Sequence, residues 1–437
     1  MTESRRFRSG RANWSSTTAV LSHAVRSDGV GPVTLCRGMS RRDLPRSVWL
    51  LGWASLFTDA ATEMIYPLLP VYLSQVLGAG ALSLGVIEGV AEAVNSVLKV
   101  VSGQWADRLA KRRPLVILGY ALSSTVRPLV ALAGTWPQVL LVRVLDRTGK
   151  GIRGAPRDAM LAGLARAEER GRVFGFHSAM DHAGAIVGPI VATAVLFAMP
   201  GSYRLLFSLT AIPGAMAVLV LWFVQEPAPP AAAHARPDTE AQVKGRRLPR
   251  RLLAFLAVLV VFGLGNSADA FLLLRLASAL GSATWVPLLW AGLHVVKSSL
   301  ATWGGSLSDR VGRKALIVAG WSVYAVVYFG FAFSTRPAAF LAWFLAYGAF
   351  FALSEGAEKA LIADLAPADV RGRAFGYYNA AWGISALLAS VIFGAVYQWY
   401  GPAAAFIMGA SLAGGAALLL LCVPIGQGTA AELRVRV

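Results

Sequence analysis

The chain has 437 residues, of which 56% are hydrophobic and 15% are charged, and its mean hydropathy is +0.58. A soluble domain carries about 25% charged residues, so this composition excludes a water-soluble globular protein. The net charge of +18 would indicate a nucleic-acid partner in a soluble protein, whereas in a membrane protein it is typical of basic cytoplasmic loops.

The N-terminal residues 1–46 are rich in Arg and Ser and lack the apolar stretch of about 7–15 residues that a secretory signal requires. We expect them to form a basic, disordered tail. The alternatives are a transit peptide, which the composition resembles, and a true start at Met39, where a basic flank precedes an apolar run. Cys36 and Cys422 have no metal-ligand spacing, so no disulfide, metal site or cofactor is expected.

Twelve apolar runs follow the tail, each long enough to supply the roughly 20 residues that a helix needs to cross a bilayer. Between the sixth and seventh runs, residues 226–250 are rich in Pro, Ala and charged residues, which predicts a cytoplasmic linker. Residues 425–437 are predicted to form a cytoplasmic tail. The predicted spans lie near 47–74, 81–103, 114–134, 137–160, 173–197, 204–224, 251–277, 284–304, 315–334, 338–361, 374–398 and 402–424.

The basic residues are concentrated in the turns that follow even-numbered spans. These turns contain ADRLAKRR, RAEERGR, KGRRLPRR, SDRVGRK and DVRGR, whereas SQVLGAGA, AGTWPQ and WYGPAA after odd-numbered spans contain almost no Lys or Arg. Basic loops remain on the cytoplasmic side of a membrane. Both termini are therefore predicted to be cytoplasmic, in a multi-pass protein of the inner membrane.

The two halves of the chain repeat one another. The stretch GQWADRLAKRR from Gly103 matches GSLSDRVGRK from Gly305, and EERGRVFGFHSA matches DVRGRAFGYYNA. Each pair is separated by about 200 residues, as expected for a duplicated six-helix half. The GxxxDR pattern, which twice follows an even-numbered span, resembles the signature loop of the major facilitator superfamily.

The resemblance covers about 47–424 and implies an all-α membrane protein with twelve transmembrane helices. These would form two pseudo-symmetric six-helix bundles, at 47–225 and 251–424, around a central cavity that opens alternately to each side. Two features depart from the family pattern. Ala110 stands where the family usually has glycine, and the fourth span carries adjacent Asp146 and Arg147 where many relatives have a single arginine.

The two repeated loops, called the GxxxDR loops below, carry glycine, acidic and basic residues at matching positions. Glycine permits a close backbone approach, and aspartate accepts hydrogen bonds at the start of a helix. We expect the loops to act as gating latches; the alternative is two basic loops that only set topology. The residues are Gly103, Asp107, Arg108 and Arg112 in the first loop and Gly305, Asp309, Arg310, Gly312 and Arg313 in the second.

Charged residues inside the spans are functional candidates, because each costs about 2.5–3.5 kcal/mol at a helix centre unless it faces a cavity or a partner. Asp59 and Glu63 are four residues apart in the first span and share a helical face. Two carboxylates there repel each other and are poorly hydrated, so at least one can hold a proton near neutral pH. They are the proton-coupling candidates, and a static ion pair with a basic residue elsewhere is the alternative.

Two further spans carry charged stripes at helical spacing. The fourth-span stripe is not a Walker loop, because Lys150 is followed by glycine and both flanks are apolar. It either pairs with the carboxylates of the first and second spans or contacts an anionic substrate group, and both alternatives remain open. The stripes consist of Glu88, Glu92 and Lys99 in the second span and Arg143, Asp146, Arg147 and Lys150 in the fourth. Candidates for the same roles elsewhere are Asp181, Asp269, Lys297, Glu355 and Glu358.

These features predict a secondary transporter, since the sequence contains no ATP-binding motif. We expect proton-coupled export of a small molecule by alternating access; the alternative is symport or exchange of an anionic metabolite bound by the fourth span. The expected partners are the small-molecule substrate, protons and the lipid bilayer, with no nucleic acid, and the chain is expected to be a monomer. No nucleophile–base pair or metal-ligand spacing indicates an enzyme.

Overall fold

The computed structural model describes residues 44–109, 111–164, 170–226, 248–367 and 370–424. Within these ranges, the side chains of residues 107, 108, 170, 171, 301–306, 308–310 and 371 lie outside the described part. The predicted N-terminal tail up to residue 43, the linker from 227 to 247, the C-terminal tail and Ala110 therefore lie outside the described residues. So do the side chains of Asp107, Arg108, Asp309 and Arg310, and the surroundings of Gly305.

The described chain is helical, and no strand occurs in the described ranges. Helices suit a lipid environment because each backbone polar group is bonded within its own segment. We number the helices α1 (Arg46–Ile65), α2 (Ala81–Arg108), α3 (Arg113–Leu132), α4 (Trp136–Leu164), α5 (Arg170–Ala198), α6 (Tyr203–Leu221), α7 (Arg250–Leu280), α8 (Val286–Val311), α9 (Arg313–Phe333), α10 (Pro337–Leu365), α11 (Arg371–Tyr400) and α12 (Pro402–Cys422).

A helix lies at each predicted span, and the all-α membrane fold is confirmed. Among the described residues, nine helices are long and apolar enough to cross a membrane. The others are α1 and α4, whose centres carry charged residues, and α8, which contributes the shorter apolar helix Val286–Leu300. Twelve membrane crossings therefore stay a prediction.

Helices α1 and α7 are interrupted inside the protein. Beyond Ile65, Pro67 and Pro70 lack a backbone N–H, and 3-10 and π turns continue α1 to Val76. In α7, the helix stops at Gly265 and restarts at Ala270. The Tyr324 hydroxyl donates a hydrogen bond of 3.1 Å to the Gly265 carbonyl oxygen, which satisfies a polar group that lipid could not satisfy.

The helices pack in two groups with the same arrangement. In the first group, α1 packs against α5 and α6, α4 packs against α2 and α3, and α3 packs against α6. In the second group, α7 packs against α11 and α12, α10 packs against α8 and α9, and α9 packs against α12. Each pair in the second group is the first-group pair moved on by six helices. The chain therefore forms two pseudo-symmetric six-helix bundles.

The two bundles meet where α2 packs against α11 and α5 packs against α8. Glycines bring α2 and α11 together, since a Cβ added to Gly89 would lie 2.9 Å from the Leu387 carbonyl oxygen. Nearer the GxxxDR loops, Lys99 is exposed, and a Cβ added to Gly154 or Gly356 meets no described atom within 4 Å. The described helices therefore leave open space beside these residues, at the end of the bundles where the loops lie.

We predict that Gly85→Val separates α2 from α11 at the end remote from the GxxxDR loops, because a Cβ at Gly85 would overlap the Ser390 carbonyl oxygen. In a cysteine-free background, the distance between spin labels at Gln75 and Tyr400 should lengthen. Gly415→Val is the control, since a Cβ there meets no described atom within 4 Å. An unchanged distance in Gly85→Val would contradict this account of the contact.

Candidate functional site

A buried network of two ion pairs lies inside the first bundle. The Arg127 Nη2 atom donates to Asp146 Oδ1 at 2.8 Å, and Arg143 Nη2 donates to the two Glu88 oxygens at 2.7 and 2.9 Å. The Arg143 Nη1 and Asp146 Oδ2 atoms are 3.9 Å apart and join the two pairs. Two cations and two carboxylates therefore balance, with the hydrogen-bonded geometry that buried ions require. The members of the buried network are Glu88 of α2, Arg127 of α3, and Arg143 and Asp146 of α4.

Arg127 belongs to the buried network, although it is not among the charged candidates named from the sequence. Its signal is present in the sequence, because a charged residue inside the apolar run 114–134 needs a partner as much as those of the other spans do. Arg127 begins the 3-10 turn Arg127–Leu132 that ends α3. Its Nη1 atom also lies 3.4 Å from the Thr58 carbonyl oxygen, so the network reaches α1.

The fourth-span stripe divides into paired and unpaired cations. Arg143 belongs to the buried network, whereas no described carboxylate oxygen lies within 4.0 Å of a side-chain nitrogen of Arg147 or Lys150. Arg147 is nevertheless largely buried, and its Nε–H has no hydrogen-bond partner among the described residues. These two cations are the members of the stripe without a described acidic partner.

The second-span stripe is divided in the same way. Glu88 binds Arg143 in the buried network. One turn later, a Glu92 carboxylate oxygen accepts a hydrogen bond of 3.0 Å from the Asn95 amide. Lys99 is exposed, with no described carboxylate oxygen within 4.0 Å. Only Glu88 among the second-span carboxylates therefore pairs with α4 in the described structure.

Of the two proton-coupling candidates, Glu63 lies where α1 faces α8 of the other bundle, whereas Asp59 lies against Gly184 of α5. Glu63 Oε2 accepts a hydrogen bond of 2.7 Å from the Trp290 indole nitrogen, and the Tyr66 ring lies 5.3 Å from the Trp290 ring. Asp59 is partly exposed, and no ion-pair or hydrogen-bond partner for its carboxylate occurs among the described side chains. One carboxylate thus joins the bundles, and the other lies one turn away without a partner.

Asp181 lies at the contact between α1 and α5. The Ser55 hydroxyl donates a hydrogen bond to Asp181 Oδ1, and the His177 Nε2 atom is 3.6 Å from the same oxygen. Arg157 of α4 donates to the Ser55 hydroxyl at 3.4 Å and pairs with Asp158 at 3.0 Å. Asp181 therefore belongs to a separate polar cluster and does not join the buried network.

Asp269 and Lys297 of the second bundle are both held by uncharged groups. Asp269 lies in the α7 interruption and accepts a hydrogen bond of 2.7 Å from the Tyr347 hydroxyl. Lys297 of α8 lies 3.3 Å from the centre of the Phe351 ring and 5.7 Å from that of Trp290. No described carboxylate oxygen lies within 4.0 Å of the Lys297 nitrogen. Like Arg147 and Lys150, Lys297 therefore has no described acidic partner; aromatic rings contact it instead.

Glu355 and Glu358 of α10 have different surroundings. Glu355 is exposed and pairs with Lys359 at 2.8 Å. Glu358 is buried, and it accepts hydrogen bonds from the Trp321 indole at 2.9 Å and the Tyr378 hydroxyl at 3.2 Å. Glu358 therefore lies inside its bundle, whereas Glu355 lies at its surface.

The described parts of the GxxxDR loops are fastened to the ends of neighbouring helices. The backbone N–H of Arg112 donates to a Glu226 carboxylate oxygen at 2.7 Å, an acid at a helix start as the macrodipole favours. Arg313 Nε lies 2.6 Å from Asp364 Oδ2 of α10. Gly103 lies beside α4, where an added Cβ would be 3.7 Å from the Ala155 Cβ, and Gly312 has a φ of 96° that favours glycine.

The family model of the Major Facilitator Superfamily matches residues 51–301 and 276–432 of the chain. The chain belongs to this superfamily. It is a multi-pass membrane transporter and not an enzyme. Among the described residues, no group of three or more His, Cys, Asp or Glu side chains is placed to hold a metal ion.

Known proteins are similar either to most of the chain or to a part of it. An uncharacterized MFS-type transporter of Methanocaldococcus jannaschii is 33% identical over 389 residues, covering 87% of this chain and 96% of that protein. The multidrug resistance protein MdtH of Cronobacter sakazakii is 33% identical over 134 residues, covering 30% of this chain and 33% of that protein. The structure of the nucleoside transporter NupG has a TM-score of 0.74 at 13% identity, covering 87% of this chain and all of that one.

For this superfamily member we predict that Asp146→Asn lowers the thermal unfolding midpoint in detergent. The substitution leaves buried Arg127 without its acid, which costs about 3–5 kcal/mol. Arg127→Met combined with Asp146→Leu should recover most of the loss, because the pair of Arg143 and Glu88 stays balanced. Asp158→Asn, at a partly exposed pair, is the control. Equal midpoints for Asp146→Asn and Asp158→Asn would show that the network does not stabilise the fold.

Proposed function

We propose that the chain exports a small molecule in exchange for protons, by alternating access of the central cavity. The hydrogen bond of 2.7 Å between Glu63 and Trp290 carries this proposal. It joins a proton-binding candidate on α1 to α8 of the opposite bundle. Asp59, one turn earlier, has no cation within 4.0 Å among the described side chains. A proton-binding group would then coincide with a contact between the bundles.

Protonation of Glu63 changes the strength of that contact. A hydrogen bond to an ionised carboxylate is roughly twice as strong as one between neutral groups. A proton on Glu63 therefore weakens the bond to Trp290 and favours the state in which α1 and α8 separate. A ligand shifts the equilibrium between two conformations by the difference in its affinity for them. If the proton and the substrate bind opposite conformations more tightly, each can drive one half of the transport cycle.

Export is favoured over uptake by the local similarity to MdtH, whose name describes multidrug resistance, over 134 residues. We propose small amphipathic compounds as the substrates. Open space beside Gly154 and Gly356, near the GxxxDR loops, supports loading from the cytoplasm, because the basic turns predict a cytoplasmic position for these loops.

The chain also needs a position in the membrane and a device that holds each state closed. We propose a monomer in the inner membrane with both termini in the cytoplasm, and bundles 47–225 and 251–424 joined by the linker 226–250. The GxxxDR loops would act as latches that hold one closed state. The contacts of Arg112 with Glu226 and of Arg313 with Asp364 support this role, since each fastens a loop to another helix end.

We predict that Asp59→Asn abolishes pH-gradient-driven accumulation while sparing substrate counterflow, which needs no net proton movement. The test uses liposomes with an imposed pH gradient and a compound screen that records transport-linked proton flux. Asp158→Asn, which removes a carboxylate already paired with Arg157, should retain full accumulation. Intact accumulation in Asp59→Asn would remove Asp59 from the role. A transported compound that moves no protons would refute the coupling.

A second candidate function is symport or exchange of an anionic metabolite. It is favoured by Arg147 and Lys150, which lack carboxylate partners within 4.0 Å among the described side chains, and by the unpaired Nε–H of Arg147. Planar guanidinium groups bind carboxylate and phosphate through paired hydrogen bonds. Lys297 would supply a cation from the second bundle.

Under this second function, we predict that Arg147→Gln weakens the binding of organic anions at least tenfold and leaves the binding of organic cations unaffected. Losing one charge-assisted hydrogen bond costs about 1.5–3 kcal/mol, and about 1.4 kcal/mol corresponds to a tenfold change in affinity. Binding is measured by scintillation proximity with labelled anions and cations. Lys111→Gln, at an exposed lysine, removes the same charge outside the cavity and should change neither. Equal losses for anions and cations would exclude direct anion contact by Arg147.

A further inference from the structure

A carboxyl group lies fully inside the second bundle, away from every residue of the proposed function. Glu358 of α10 is 2% exposed. Its Oε1 atom accepts a hydrogen bond of 2.9 Å from the Trp321 indole of α9, and its Oε2 atom lies 3.2 Å from the Tyr378 hydroxyl of α11. Three helices therefore converge on one acid, which we call the caged carboxyl.

The cage contains no compensating cation. No Lys, Arg or His nitrogen lies within 4.0 Å of Glu358 among the side chains that the structure describes. On α10, the charged groups near enough to act on it are Glu355 and Lys359, and these bond to each other at 2.8 Å. Lys297 of α8 lies over the Phe351 ring instead. The described hydrogen bonds to Glu358 from α9 and α11 come from the neutral donors Trp321 and Tyr378.

This arrangement accommodates a proton without moving a heavy atom. An ionised Glu358 receives hydrogen bonds from both donors. Since a phenol hydroxyl can donate or accept, a protonated Glu358 can instead donate its own O–H to the Tyr378 oxygen while keeping the bond from Trp321. Removing a carboxylate from water without a cation costs several kcal/mol, and a bound proton removes that cost. The charge of Glu88, in contrast, is balanced by Arg143.

We propose that Glu358 is a second proton-binding site, in the bundle opposite Asp59 and Glu63. The site is connected to the packing of its bundle, because the Trp321 ring that bonds Glu358 stacks on Phe262 of α7 at 4.4 Å and 5°. Exposed surface lies nearby on the same helix: Glu355, three residues earlier on α10, is exposed, and a Cβ on Gly356 would meet no described atom within 4 Å.

Infrared difference spectroscopy of the reconstituted protein tests the site directly. In a pH titration, the wild type should lose the carbonyl stretching band of a protonated carboxyl as pH rises. The band assigned to Glu358 should be missing in Glu358→Gln and present in Glu355→Gln, which removes an exposed acid of the same helix. Carboxyl bands identical in wild type and Glu358→Gln would overturn the proposal.

A second variant keeps the test decisive where Glu358→Gln does not fold. In Tyr378→Phe the caged carboxyl loses one hydrogen-bond partner, so the frequency of its carbonyl band should change while the band itself persists. An unchanged frequency would overturn the proposal. Neither measurement uses a substrate or a gradient. The result for Glu358 therefore does not depend on whether the chain exports a substrate or couples protons at Asp59.

Discussion

The fold of the first bundle depends on the need of buried ions for partners. A membrane core offers no water to an arginine, so Arg127 and Arg143 can remain charged there only beside Asp146 and Glu88. These four residues come from three helices, and a rotation of any one of them would leave an ion without its partner. The network therefore restricts how α2, α3 and α4 pack, in addition to the contacts of their apolar faces.

The same restriction divides the charges inside the spans into those with an internal partner and those without one among the described residues. A charge with an internal partner cannot bind a substrate or a proton without breaking that pair. Arg147 and Asp59 lack ion-pair partners among the described side chains although both lie inside spans, so an external ion can bind them at lower cost. Glu63 is intermediate, because its only described partner is the neutral indole of Trp290.

The lengths of the apolar runs were sufficient to predict the helices, because each run is a property of a single segment. Partner choice depends on helix rotation and packing, which a single sequence does not specify. The Arg127 charge is visible in the sequence, but its pairing with Asp146 requires the relative positions of α3 and α4. The bond from Trp290 to Glu63 is harder still to predict, since it joins residues 227 positions apart across the two bundles.

The two bundles share a packing arrangement but use different polar chemistry. In the first, ion pairs balance, so a proton added to one acid would leave a buried cation without its partner. In the second, Asp269 and Glu358 are held by tyrosine hydroxyls and an indole. A proton on Glu358 leaves no such cation among the described side chains, and it removes the cost of burying a carboxylate away from water. Protonation of a buried acid is therefore opposed by the ion pairs of the first bundle and accommodated by the neutral donors of the second.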